Sequence, residues 1–304
     1  MLTIKSWLYD LIDAFFKKLI KSFRIHTEKI AIHDYALKEI KESIMFLNAK
    51  LLDFEETTDQ KTILRRREFK MYSQNGEDGI LLYIFSKIGV HSRTFVDFGA
   101  EDGRECNTAN LSLNWGWSGL LIEASTKLFI EAKKYYCAYP QVSILNAYVT
   151  PQNINHLLRE NNYSGEIDLL SIDIDSNDYW VWESIHDCNP RVVVVEYNAN
   201  LGSDRSITVQ YDANFNRFEK HPSGYYFGAS LLSLQKLAHK KGFILIGCDS
   251  KGCNAFFVRS DLARHHFVEL SAAAAYYPLT EGWAIRPTPE EAFQIIKNLE
   301  YVEI

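Results

Sequence analysis

The chain has 304 residues, of which 47% are hydrophobic and 24% are charged, and its formal net charge is −6. This composition is typical of a soluble globular protein with a substantial core, and the negative charge argues against a nucleic-acid-binding protein. The five cysteines are odd in number and form no CxxC pair. A disulfide framework or zinc knuckle is therefore not expected, and the predicted location is the cytoplasm.

An N-terminal helical arm is predicted over residues 1–65, followed by a catalytic domain over residues 66–304. Residues 2–24 have the apolar spacing of an amphipathic helix with lysines among and opposite the apolar positions, which favours peripheral contact with the inner membrane surface. The alternative is a helix that packs on its own domain or on a second subunit of a homo-oligomer. Residues 27–56 contain neither glycine nor proline, as in a coiled-coil arm, and residues 63–69 (ILRRREF) are interpreted as a basic linker. The chain has no uncharged apolar run of about 18 residues, so no transmembrane helix is expected.

From residue 72 onward, strand patterns alternate with helix patterns. The segment 73–89 begins with a serine and has carboxylates in its first turn, which predicts a helix capped by Ser73. Strands are predicted at TFVDFG, SGLLIEAS, VSILNAYV, IDLLSIDID and RVVVVEYN, and GFILIGCD with NAFFVRSD predicts a terminal hairpin. The expected fold is α/β, a doubly wound, mostly parallel seven-stranded Rossmann-like sheet with an N-terminal helical extension.

The stretch FVDFGAEDG ends the first of these strands, where ligands bind in doubly wound sheets. A glycine turn crowded by carboxylates repels a pyrophosphate, whereas it suits a cationic ligand rich in hydrogen-bond donors, such as S-adenosylmethionine. Glu123 ends the second strand, where an acid can accept hydrogen bonds from ribose hydroxyls. Spacing alone does not separate S-adenosylmethionine from NAD, and a tight turn with a solvated acidic loop is the structural alternative.

The chain here resembles the class I S-adenosylmethionine-dependent methyltransferases, and within them the FkbM-like group, which includes many sugar O-methyltransferases. The resembling segments are YSQNGEDGIL, FVDFGAEDGRECNTANL, LLIEAS, LLSIDIDSNDYWVWESI, RVVVVEYNAN and NAFFVR, within residues 72–260. The chain departs from the group at DIDSNDYW, where a shorter DVEG-like turn is usual, and this leaves the substrate class open.

The resemblance implies a role for each residue that matches the family's motifs. The turn that holds the cofactor would consist of Asp97, Gly99, Ala100, Glu101 and Gly103. Glu123 would hold the ribose, and Asn146 and Ala147 would lie near the adenine. Asp173 would lie at the methionine end of the cofactor or at the reaction centre.

Two neighbouring strand ends, DIDSND and EYNAN, supply candidates for the reaction itself. Asp173 and Asp175 are the predicted catalytic residues, together with His221 from a long stretch, 201–227, that could form a substrate lid. Oxygen ligands suit Mg²⁺, and by analogy Asp175, Glu196 and Asn198 form a candidate magnesium site. The alternatives are that these residues cap the following helix or contact the substrate directly.

The predicted function is O-methylation of a hydroxylated acceptor, a sugar of a surface glycan or its precursor, with S-adenosylmethionine as cofactor. Two other functions stay open on the same fold. One is an NAD(P)-dependent nucleotide-sugar oxidoreductase, and the other is a non-catalytic scaffold assembled through the helical arm.

Overall fold

The computed structural model describes residues 59–280 and 287–304. The predictions for residues 2–24 and 27–56, including membrane contact, the coiled coil and assembly through these helices, lie outside the described residues. The division between 1–65 and 66–304 stays a prediction. None of the helices in the described ranges has the length and apolar character that crossing a bilayer needs.

The strands form a seven-stranded sheet and a separate two-stranded sheet. In chain order they are β1 Thr94–Phe98, β2 Ser118–Glu123, β3 Val142–Asn146, β4 Gly165–Ile172, β5 Cys188–Glu196, β6 Ile207–Val209, β7 Phe243–Cys248, β8 Asn254–Arg259 and β9 Tyr301–Glu303. The large sheet has the order β3-β2-β1-β4-β5-β8-β7. The strands β1 to β5 pair in parallel, and β8 is antiparallel to both of its neighbours. The predicted doubly wound sheet with a terminal hairpin is confirmed.

Helices cover both faces of this sheet. They are α1 Gln60–Arg67, α2 Glu77–Ile88, α3 Ala109–Trp115, α4 Thr126–Tyr135, α5 Ile154–Glu160, α6 Asp178–Ser184, α7 Arg217–Lys220, α8 Leu231–Lys240, α9 Ser260–Ala263, α10 Ala272–Ala275 and α11 Pro289–Ile296. In β5, Val193 and Val195 face one core cluster while Val192 and Val194 face the other. A strand buried on both faces needs apolar residues at every position, which explains the unbroken valine run.

The segment interpreted as a basic linker is instead the end of a packed helix. Asp59 caps α1 by accepting a hydrogen bond from the Thr62 N–H, and Leu64 is fully buried. Gln60 Nε2 donates to the Ile246 carbonyl on β7 at 2.7 Å. The linker interpretation was wrong because the three consecutive arginines dominate the local pattern, whereas one buried leucine and one glutamine dock the helix.

The helix predicted over 73–89 begins later than Ser73, at Glu77, and its N-cap is Gly76 with φ +107°. Ser73 instead closes the preceding loop. Its hydroxyl accepts from the Asp78 N–H at 3.1 Å, and Asp78 Oδ2 accepts from the Ser73 N–H at 3.0 Å. These reciprocal bonds fix the loop that leads into α2.

The long stretch 201–227 is more ordered than the irregular lid that the sequence suggested. Its strand β6 pairs with β9, and it shares a small hydrophobic cluster with α11 that contains Leu201, Val209, Phe215, Tyr226, Phe227 and Ile296. The stretch is therefore held by its own apolar contacts beside the main sheet.

Candidate cofactor and acceptor site

A cavity of about 400 Å³ opens at the carboxyl ends of β1, β2, β4 and β5. This is the edge at which doubly wound sheets bind ligands, and the volume lies in the range of small-molecule sites. Most of the predicted site residues line it, namely Asp97, Gly99, Ala100, Glu101, Glu123, Ala147, Asp173, Asp175 and Glu196. The fold thus brings together acids from four different strand ends.

The turn after β1 depends on two glycines in left-handed conformations. Gly99 has φ +76°, and a β-carbon at this position would overlap the Asp173 carbonyl oxygen. Gly103 has φ +75°, and its β-carbon would approach the Tyr136 ring to 2.5 Å. Gly103 does not line the cavity, so it shapes the turn by close packing while Gly99 leaves room at the cavity wall.

Asp97 lies one residue before the end of β1 and is buried, with 2% of its surface exposed. Its Oδ2 accepts a hydrogen bond from Thr108 Oγ1 at 2.7 Å. Burial disfavours the charged form and raises the pKa of Asp97 to about 6, although the hydrogen bond from Thr108 acts in the opposite direction.

Glu123 is the best-positioned acid in the cavity. It ends β2 and is 7% exposed. Each of its two carboxylate oxygens accepts a hydrogen bond from one backbone N–H group. The Glu101 N–H donates to Oε2 at 2.9 Å, and the Ser125 N–H donates to Oε1 at 2.6 Å. Each carboxylate oxygen has a further lone pair, so the oriented carboxylate can accept two more hydrogen bonds from a ligand.

Glu101 takes a left-handed conformation with φ +51° while its N–H contacts Glu123. Burial raises the pKa of its carboxyl group, and the nearby carboxylates of Glu123 and Asp102 raise it further. The turn therefore concentrates negative potential that favours a cationic ligand.

The pair predicted near the adenine separates in the structure. Ala147 lines the cavity, whereas Asn146 lies outside the lining and is exposed. The Asn146 amide donates to the carbonyls of Glu123 at 2.8 Å and Ala124 at 3.1 Å. Asn146 therefore stabilises the loop after β2 without lining the cavity.

Asp173, directly after β4, and Glu196, at the end of β5, both line the cavity. Burial raises the pKa of both well above the usual range, and the neighbouring acids raise it further. Glu196 Oε2 is buried and has no hydrogen-bond partner within the described residues.

Asp175 lies at the cavity rim and holds the 201–227 stretch. It has φ +55°, and its carboxylate is paired with Arg217 Nη1. The Arg217 Nε group donates to the Gly224 carbonyl at 2.9 Å, and the guanidinium lies 4.0 Å from the centroid of the Phe227 ring. Arg217 thus connects the cavity to the stretch that the sequence suggested as a lid.

The three predicted magnesium ligands are not brought together, which corrects that prediction. Asn198 lies outside the cavity lining, and its amide donates to the carbonyls of Tyr225 and Phe227, both at 2.8 Å. Its Oδ1 accepts from the Asn200 N–H at 3.0 Å. Across residues 59–280 and 287–304, no group of three or more His, Cys, Asp or Glu is placed to hold a metal ion. The side chain of Asn198 is used to satisfy backbone groups, so it is not available as a ligand.

The carboxylate that organises the start of α6 is Asp178. It is fully buried and accepts from the N–H groups of Ile174 at 2.9 Å and Ser176 at 3.1 Å. Burial raises its pKa to about 6. Asp178 therefore closes the loop before α6, whose N-cap Asn177 makes no side-chain capping bond, while Asp173 and Asp175 reach the cavity.

His221 does not reach the cavity lining. Its Nδ1 accepts from the Ser223 N–H at 3.2 Å and lies 2.8 Å from Ser223 Oγ. The imidazole therefore closes the turn after α7, and the structure does not support its predicted role as a base.

Several polar lining residues had no predicted role, among them Gln74, Asn107, Arg217 and Asn254. Gln74 and Asn254 lie in the segments YSQNGEDGIL and NAFFVR, which carry the family resemblance. Asn254 Nδ2 donates to Glu77 Oε1 at 2.9 Å across 177 residues of chain. The residue types were visible in the sequence, but their convergence was not.

Neither the family models nor the curated proteins gave a match to this chain. Among solved structures, the chain is similar to the N-terminal domain of EvdMO1 with SAH bound, at 11% identity and a TM-score of 0.39, covering 67% of this chain and 97% of that one. It is similar to PKMT2 from Rickettsia typhi in complex with AdoHcy, at 12% identity and a TM-score of 0.40. The match covers 60% of this chain and 52% of that chain. It is also similar to the magnesium protoporphyrin IX methyltransferase ChlM from Synechocystis PCC 6803 with bound SAM, at 14% identity and a TM-score of 0.40. The match covers 68% of this chain and 100% of that chain. Likeness at these scores is too distant to assign an activity, which depends on the residues of this cavity.

Proposed function

We propose that the protein is an S-adenosylmethionine-dependent O-methyltransferase that acts on a hydroxylated acceptor, a sugar of a surface glycan or its precursor. The observation that carries the proposal is the geometry of Glu123. Its carboxylate lies at the end of β2, is oriented by two backbone N–H groups and lines the cavity with lone pairs to spare. This arrangement suits the two adjacent hydroxyls of a ribose.

The charge of the cavity fits the rest of this cofactor. Seven carboxyl groups and one guanidinium line it: Asp97, Glu101, Glu105, Glu123, Asp173, Asp175, Glu196 and Arg217. A sulfonium and an α-ammonium are attracted by such a lining, whereas the pyrophosphate of NAD is repelled by it. The oxidoreductase alternative therefore has less support than methyl transfer.

When bound, S-adenosylmethionine supplies an electrophilic methyl group on a sulfonium. Glu123 and the Gly99 turn would bind the adenosine half of the cofactor, and Asp173 would lie between the cofactor and the acceptor. The acceptor hydroxyl would bond to the methyl carbon as the carbon–sulfur bond breaks, with sulfur keeping the electron pair. The carboxylate of Asp173 or Glu196 would receive the hydroxyl proton.

Calorimetric titration with S-adenosylhomocysteine, and in parallel with NAD, tests the proposal. Micromolar binding of S-adenosylhomocysteine is expected. Glu123→Gln should weaken it at least about tenfold, since a charge-assisted hydrogen bond contributes roughly 1.5–3 kcal/mol. Glu160→Gln, an exposed acid at the end of α5 and outside the cavity, is the matched control and should bind normally.

Three outcomes contradict the proposal in different ways. Binding of NAD in place of S-adenosylhomocysteine supports the oxidoreductase. Binding of neither ligand supports the non-catalytic scaffold. Equal affinity of Glu123→Gln and the wild type would show that Glu123 does not hold the cofactor.

Peripheral membrane contact through residues 2–24 is a further part of the proposal, motivated by the basic amphipathic pattern of that segment. Co-sedimentation with anionic liposomes should pellet the full chain and leave a chain that begins at residue 56 in the supernatant. Equal pelleting would refute membrane contact. A change in molar mass between the two chains in light scattering would instead support assembly through the arm.

A further inference from the structure

We propose that the side of the cavity formed by the ends of β5 and β8 is a subsite for a neutral vicinal diol, which Glu196 Oε2 and Asn254 Oδ1 hold by accepting one hydrogen bond from each hydroxyl. The inference rests on the proposed methyltransferase function and narrows its acceptor to the hydroxyls of sugars without a phosphate group. Sugar phosphates and nucleotide-linked sugars would be rejected.

The orientation of Asn254 is the first observation. Its side chain is 3% exposed and lines the cavity. Its Nδ2 donates to Oε1 of Glu77 at 2.9 Å, while Oε2 of the same buried carboxyl group accepts from the Asn75 N–H at 2.7 Å. A carboxylate can only accept here, so the amide nitrogen must face Glu77 and the amide oxygen must face away from it. Asn254 Oδ1 is buried and has no partner within the described part of the chain.

The position of Glu196 is the second observation. Glu196 and Asn254 are directly paired residues of the antiparallel strands β5 and β8. Side chains of such a pair lie on the same face of the sheet with their β-carbons about 4.5–5.5 Å apart. Glu196 Oε2 is also buried without a partner in the described ranges. Two neighbouring acceptors without donors match a ligand that presents two neighbouring donors, as the hydroxyls of a vicinal diol do.

The charge of the lining decides between hydroxyl, phosphate and amine ligands. Arg217 is the single basic residue among the lining residues of the described ranges, and its guanidinium already contacts Asp175, the Gly224 carbonyl and the Phe227 ring. A phosphate would therefore meet carboxyl groups without a free cation. An amine would be held as ammonium by the acidic lining, so its nitrogen would have no lone pair for attack and would not be the methylated atom. A neutral hydroxyl can donate its proton to Glu196 and still attack through oxygen.

Competition between three acceptor pools tests the subsite with the full-length protein. The first pool contains methyl glycosides of common neutral hexoses and 6-deoxyhexoses. The second contains the corresponding sugar phosphates and uridine diphosphate sugars, and the third contains the corresponding amino sugars. Transfer of a deuterated methyl group from labelled S-adenosylmethionine is read by mass spectrometry. Label is expected on oxygen in the neutral pool and is not expected in the phosphate pool, and any label on an amino sugar should be on oxygen and not on nitrogen. Monodeoxy analogues that lack the adjacent hydroxyl should lose the label.

Variants then connect the selectivity to the two oxygens. Asn254→Ala and the isosteric Glu196→Gln should each raise KM for the neutral acceptor about tenfold, as expected for a lost hydrogen bond to a buried group. Affinity for S-adenosylhomocysteine should stay within about twofold, because neither residue lies at the ribose end. Asn200→Ala is the control, since Asn200 is buried and hydrogen-bonded to Asn198 Oδ1 but lies outside the cavity.

Label in the phosphate pool, label on the nitrogen of an amino sugar, or no label in the neutral pool overturns the subsite. Normal S-adenosylhomocysteine binding in that experiment would leave the methyltransferase proposal standing, whereas failure of the wild-type protein to bind it refutes both. If Asn254→Ala does not fold, Glu196→Gln carries the test alone. An unchanged KM in that variant overturns the proposal.

Discussion

Replacing Asp97 by asparagine should make the protein more stable near neutral pH, although the change lies at the turn after β1. Burial raises the pKa of Asp97 from 3.8 to about 6. Between these values the folded protein holds a proton that the unfolded chain has lost, so the contribution of Asp97 to stability falls as pH rises through this window. The full effect above pH 6 is about 3 kcal/mol, because one pKa unit corresponds to about 1.4 kcal/mol.

Asparagine does not titrate and keeps an oxygen for the hydrogen bond from Thr108 Oγ1. Relative to the wild type, the unfolding free energy of Asp97→Asn should increase by about 2 kcal/mol when the pH is raised from about 4.5 to about 7.5. This value follows from integrating the proton-linkage relation over that interval. Urea unfolding followed by tryptophan fluorescence measures it, and titration of the other acids, common to both proteins, largely cancels. Asp204→Asn, an acid whose side chain is 81% exposed, is the control and should show no such shift. A difference that is the same at both pH values would refute the burial argument for Asp97.

Three further predictions concern the packing around the site. Gly99→Ala should destabilise the fold by about 3 kcal/mol or more and abolish S-adenosylhomocysteine binding, because φ is +76° and the added carbon overlaps a backbone carbonyl; a wild-type melting temperature would contradict this. Asp168→Ala should lower the unfolding free energy by about 3–5 kcal/mol. The reason is that the buried carboxylate accepts from three consecutive N–H groups before β1 and pairs with an arginine. The folded fraction should nevertheless bind S-adenosylhomocysteine normally. Asp175→Asn should change global stability by less than about 1 kcal/mol because the Asp175 side chain is 61% exposed. Limited proteolysis within 201–227 should become faster, and equal cleavage rates would show that the ion pair with Arg217 does not hold that stretch.

The local sequence pattern was sufficient to predict the sheet and the glycine turn after β1. Strands buried on both faces require continuous apolar runs such as that in β5, and the alternation of strands with helices implies parallel pairing. The turn after β1 is contiguous in sequence, so Asp97, Gly99 and the acid at the end of β2 could be placed at one edge of the sheet before their contacts were known. These features depend on residue type and short spacing, which a sequence displays directly.

The tertiary structure alone decided which polar side chains face the cavity. Asn198 and His221 looked suited to chemistry, but backbone groups at Tyr225 and Ser223 use their hydrogen-bonding capacity. Asn254 and Glu77 become partners across 177 residues of chain, and only that contact orients the amide oxygen away from Glu77. A side chain's function depends on which of its hydrogen-bonding positions remain free after folding, and the neighbours that occupy them come from distant parts of the chain.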